Sequence, residues 1–91
     1  MMGVETHEHR LKRMQMRSWR RGTKEMDLIL GPFSDTRLGD LEAVELDVYD
    51  RLLEENDHDI YQWMSGQRAT PAEYLALVEK VVAGFSGRLT S

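Results

Sequence analysis

Thr70-Pro71-Ala72-Glu73, followed by Tyr74, Leu77, Val78, Val81, Val82 and Phe85, is the stretch from which the fold is read. Thr70 and Glu73 have capping-box spacing, in which each side chain satisfies a backbone N–H of the opening turn. Pro71 sits at the first helical position, where its missing N–H costs nothing. The apolar residues then recur at helical spacing, so one face of a long helix is greasy. Gly84 or Gly87 is the predicted stop. Reading back towards the N-terminus, Ser65-Gly66 closes a shorter helix with Ile60, Trp63 and Met64, which Asn56-Asp57 caps. Before it, a helix is predicted from Asp40 or Leu41 to about Glu55. Leu41, Val44, Val48 and Leu52, with the parallel row Glu45, Tyr49 and Leu53, form its expected buried side. Met26, Ile29, Leu30 and Phe33 mark a further helix, from about Gly22 to Gly31-Pro32. Pro32 lacks a backbone donor and clashes one turn back, so that helix is expected to kink or end there. Leu11, Met14 and Ser18 share a face of a first, basic helix that Trp19 ends. No segment alternates with period two, and no repeat is visible. The fold class is therefore all-α, a small five-helix bundle, with residues 1–8 as a disordered tail and 9–88 as one domain.

Ninety-one residues make one small domain that buries about 60–65% of the surface its unfolded chain exposes. A deep catalytic cavity is hard to house in it. There is no cysteine, which excludes disulfides and thiolate metal sites. No apolar run approaches the ~20 residues of a membrane span, so no membrane insertion is expected. The N-terminus is basic, yet it carries Glu5 and Glu8 and has no apolar signal region. A bacterial cytoplasmic protein is the expectation. The charge is split: up to Lys24 seven cations face two carboxylates, and from Glu25 five cations face fourteen. Such a split favours an oriented electrostatic encounter with a partner.

The sign changes across Arg20-Arg21-Gly22-Thr23-Lys24-Glu25-Met26-Asp27. Gly22 as an N-cap would let Glu25 reach back to its N–H, a purely structural reading. That reading leaves the doubled arginine unexplained, unless the cations close the preceding helix. Arg21, Glu25 and Asp27 fall away from the apolar stripe and are predicted to face solvent or a partner. Arg21-Gly22-x-x-Glu25 resembles the RGxxE signature of the succinate dehydrogenase assembly factors, the flavinylation factors called SdhE in bacteria. Arg20 matches the doubled arginine usual there, and Met26-Asp27 resembles the apolar-aspartate pair that follows. Arg51-Leu52-Leu53-Glu54 and the stretch Asp57 to Trp63 resemble two downstream segments of that family, in order and at fitting spacing. The resemblance covers roughly residues 10 to 85.

What the resemblance implies is specific. Such proteins bind the flavoprotein subunit of succinate dehydrogenase, and often of fumarate reductase, and promote covalent attachment of FAD to that client. Arg20, Arg21, Gly22, Glu25 and Asp27 would form the client-binding patch, with Gly22 allowing close backbone approach. FAD would belong to the client, with none held firmly by this chain. The residues themselves offer no catalytic set: there is no phosphate-binding glycine loop, and Asp57-His58-Asp59 reads as a helix cap with dipole-complementing acids. Trp63 and Tyr61 could stack on a flavin, but Trp63 at helical spacing from Ile60 reads as core. His7 and His9 lack a third metal ligand. The rival reading is a small adaptor whose basic first helix contacts nucleic acid. The acidic remainder opposes it, and no nucleic-acid partner is expected.

Overall fold

Five amphipathic segments fold into helices that bury their stripes against one another. The computed structural model describes residues 5–90, and the side chains of residues 5–85. Helix α1 spans His7–Ser18 and α2 spans Lys24–Thr36. A short 3-10 turn, Leu38–Asp40, leads into α3, Ala43–Leu52. Helices α4 and α5 cover Asp57–Met64 and Ala72–Thr90. No strand occurs among the described residues. Helix α2 packs on α1 and α5, and α5 also meets α3 and α4. The two most apolar helices thus hold the centre. Phe33 stacks on Tyr49 with ring centroids 5.8 Å apart, and Trp63 on Tyr74 at 5.5 Å. Met14, Leu30, Leu52 and Ile60 are fully buried around them.

Several boundaries differ from expectation, each for a local reason. Thr6 accepts the His9 N–H at 3.1 Å and starts α1 at His7, so residues 7 and 8 are helical. Residues 1–4 of the expected tail lie outside the described residues. Thr23, not Gly22, caps α2, with its hydroxyl accepting from the Met26 N–H. Helix α2 also runs through Pro32 to Thr36, because Phe33 and Ser34 beyond the proline are buried. Gly31 is no helix terminator: the Trp19 ring lies across it, and a Cβ there would come within 2.4 Å of the ring. Helix α5 passes both glycines expected to stop it.

Helix α3 keeps most of the expected stripe, with Tyr49 and Leu52 buried, Glu45 and Val48 half-buried, and Leu41 and Leu53 buried at its two ends, but it departs at Val44. Val44 is 73% exposed, whereas Leu46, passed over in the sequence, is buried with Tyr49, Leu52 and Leu53. Val44 lies ~140° around the helix from Tyr49, at 100° per residue. The capping box between Glu42 and Glu45 starts this helix at Ala43, two or three residues later than expected. Glu45 is half-buried and pairs with Lys80 of α5.

Candidate functional site

The α1–α2 connection, residues 19–23, carries the residues singled out by the sequence. Arg20, Gly22 and Glu25 are exposed there, while Asp27 is half-buried. Gly22 has φ +104°, a conformation that side chains resist, so the sharp turn itself requires glycine. A Cβ would meet only the Asp57 carboxylate, at 3.7 Å, so space is not what excludes one.

Arg21 departs from expectation. Its side chain is 8% exposed and faces inward, bound to Asp57 Oδ1 through Nε at 2.7 Å. Its two terminal nitrogens donate to the carbonyls of Leu53, at 2.8 Å, and Glu55, at 3.1 Å. Those carbonyls lie at the C-cap of α3 and just beyond it, where no intrahelical donor remains for them. A planar guanidinium is the side chain that serves two carbonyls and a carboxylate at once. Asp27, expected to face outward, instead accepts the Arg21 backbone N–H at 2.7 Å. Arg21 and Asp27 together clamp the turn against the α3–α4 link. Asp57, read in the sequence as a cap, is the missed partner of this clamp. Its place at the head of the stretch Asp57 to Trp63 was the available signal.

The clamped turn stands between two shallow grooves. One, of about 310 Å³, is lined by Thr23, Glu25, Met26, Asp57, His58 and Tyr61. Glu25 makes no ion pair among the described residues, and Tyr61 is 39% exposed. The other, of about 400 Å³, is lined by Arg13, Met16, Arg17, Arg20, Arg21 and Leu53.

Of the seven N-terminal cations expected to steer a partner, four are paired inside the molecule, Arg21 among them. Arg10 meets Asp47 at 2.6 Å, Arg13 meets Asp50 at 2.9 Å and Arg17 meets Glu54 at 2.6 Å. Each pair is 37 residues apart, so α1 and α3 run parallel with matched charges. Arg13 also binds Glu5. Its guanidinium, hydrogen-bonded to Asp50, holds that carboxyl below the usual range. Burial pushes the Tyr49 hydroxyl, which contacts Ser18, up to about 12. Burial and the hydrogen bond to Glu55 do the same for Tyr74. Among the described residues, no group of three His, Asp or Glu is placed to hold a metal ion, and no helix is long and apolar enough to cross a membrane.

A family profile described as flavinator of succinate dehydrogenase matches residues 12–84. The chain belongs to this family. It is a family of assembly factors rather than catalytic enzymes. The mitochondrial succinate dehydrogenase assembly factor 2 of Mycosarcoma maydis is 39% identical over 70 residues, covering 77% of this chain and 29% of that protein. Assembly factor 2-B of Drosophila mojavensis is 38% identical over 77 residues, 82% of this chain and 49% of that one. The Schizosaccharomyces pombe factor is 37% identical over 70 residues, with 77% and 50% covered. The chain therefore spans from 29% to 50% of these relatives' length. They are mitochondrial proteins of fungi and flies, which overturns the bacterial cytoplasm expected from the N-terminus. That expectation leaned on the acidic Glu5 and Glu8 in a basic N-terminus, and in the fold Glu5 serves as an ion-pair partner of Arg13.

Proposed function

We propose that this chain docks on the flavoprotein subunit of succinate dehydrogenase through the α1–α2 turn and promotes covalent attachment of that subunit's FAD. The flavoprotein subunit of fumarate reductase, built for the same cofactor, is the second client of this reading. Support comes from family membership together with one observation: an exposed Gly22 at φ +104° on a turn clamped from behind by Arg21, Asp27 and Asp57. A rigid turn without a side chain at its crest lets a partner backbone come close at little entropic cost. Glu25 stands free beside it to accept a charge-assisted hydrogen bond. The flavin bond forms within the client, between its own histidine and FAD. The contribution of this chain is to hold the client in the geometry from which that bond forms. No firm flavin site of its own is part of the proposal.

The test compares Gly22→Ala with Gly22→Arg. Both place a Cβ at the same unfavourable φ, so both lose about 1–3 kcal/mol of stability. Only arginine projects a long side chain over the crest. The expected result is similar Tm for the two variants, with covalent flavin on the co-expressed client, read by in-gel fluorescence, lost for Gly22→Arg alone. Glu25→Ala weakens flavin attachment with little change in Tm, since alanine suits an exposed helix position. Flavin attachment that falls only in proportion to folded protein overturns the proposal.

A further inference from the structure

Of the two adjacent arginines, one is committed internally and the other is not. Arg21 is matched by Asp57 and two carbonyls. Arg20 is exposed, and its guanidinium has no hydrogen bond or ion pair among the described residues. The groove beside it has four arginines, Met16 and Leu53 in its lining and no acidic residue. Three of those guanidiniums already face carboxylates: Arg13 with Asp50 and Glu5, Arg17 with Glu54, and Arg21 with Asp57. The groove therefore holds about one uncompensated positive charge, over an apolar floor where Met16 is 53% exposed. One excess charge suits one carboxylate. A polyanion, whose affinity grows with the number of phosphates neutralised, would meet a surface already neutralised from within.

We infer that Arg20, and not Arg21, is the cation that meets the partner, and that it takes a carboxylate of the flavoprotein in the groove over Met16 and Leu53. Arg21 is the positioning residue: it holds the turn on which Arg20 and Gly22 are presented. The inference rests on the docking reading above. It divides the labour within the doubled arginine, which the sequence could not do, since the two residues are adjacent and identical in type.

The experiment uses the full chain and the isolated flavoprotein subunit, with Arg20→Glu, Arg20→Lys, Arg21→Lys and Gly22→Arg compared. Arg20→Glu is expected to leave Tm unchanged and to weaken the complex at least about tenfold, because like charges then face each other. Arg20→Lys restores most of the affinity and its salt dependence, since the charge is kept. Arg21→Lys loses the planar fork, lowers Tm by ~5 °C or more, and retains affinity when measured below its own transition. Wild-type affinity in Arg20→Glu overturns the inference. So does an Arg21→Lys protein of unchanged Tm that no longer binds, or an Arg20→Glu protein that loses only binding to a single-stranded oligonucleotide. Wild-type flavinylation and affinity in Gly22→Arg sink the docking reading itself, and lost binding in Gly22→Arg beside wild-type affinity in Arg20→Glu sinks this inference alone.

Discussion

Gly22 and Gly31 show how differently two glycines constrain one short chain. Gly22 answers to its backbone: φ is +104°, and the space beside it is open. Gly31 has ordinary helical geometry and answers to Trp19, whose ring occupies the volume a Cβ would take. Trp19 is fixed there by its Nε1 hydrogen bond to Asp35 at 3.1 Å, and Gln15 donates to the same carboxylate. Gly31→Ala is thus an overpacking change, expected to destabilise by about 1–3 kcal/mol. The indole must lift off α2, so iodide quenching of tryptophan emission should rise in the still-folded protein. An alanine variant with wild-type stability and quenching would show that the ring is not seated on Gly31.

At the scale of elements, α1 has little apolar surface to hold it, with Met14 and Ser18 as its buried residues. Its attachment depends on the contact with α2 and on the charge ladder to α3. Exposed ion pairs are individually weak, about 0–1 kcal/mol each, but Asp50 is only 26% exposed and takes a bidentate hydrogen bond from Arg13. Its folded-state pKa is depressed, principally by that hydrogen bond. A depressed carboxyl stabilises the fold above its unfolded pKa, and that contribution is lost as pH falls through the folded value. Stability should therefore drop with acid below about pH 4. Asp50→Asn should lower Tm at pH 7 and flatten the acid limb. Thermal melts of both proteins from pH 7 to pH 2 check this, and parallel curves would count against the ladder.

The whole molecule is small enough that two buried methyl groups matter. Val81 is 1% exposed on α5, the helix that touches α2, α3 and α4. Val81→Ala should cost about 1–3 kcal/mol through lost contacts and a residual cavity. That is a large share of the stability of a 91-residue domain, about 5–14 kcal/mol at the usual value per residue. A denaturation midpoint equal to that of the wild type would remove α5 from the centre of the bundle. At the same scale, the opposite charges of the two halves of the sequence meet across α1 and α3. Arg20 and Glu25 are among the charges left free for a partner.

Much of this was legible in the sequence, because capping chemistry and helical periodicity are local. Asn56 caps α4, Tyr74, Leu77, Val78 and Val81 line the buried face of α5, and the five segments are helices in the predicted order. Those properties depend on residues three or four apart, which a reader of the chain can see together. Helix boundaries were missed by a few residues over local caps, but the failures that changed the reading of the site and of the charges involve partners 12 to 37 positions away. Pro32 looked like a stop because the burial of Phe33 and Ser34 beyond it, and of Gly31 under Trp19, could not be seen. Arg21 looked like a surface charge because Asp57 and the ends of α3 approach it only in three dimensions. The sequence by itself determined the helices and the family; tertiary structure decided which charges are free, since a charge is neutralised by whatever the fold brings within reach of it.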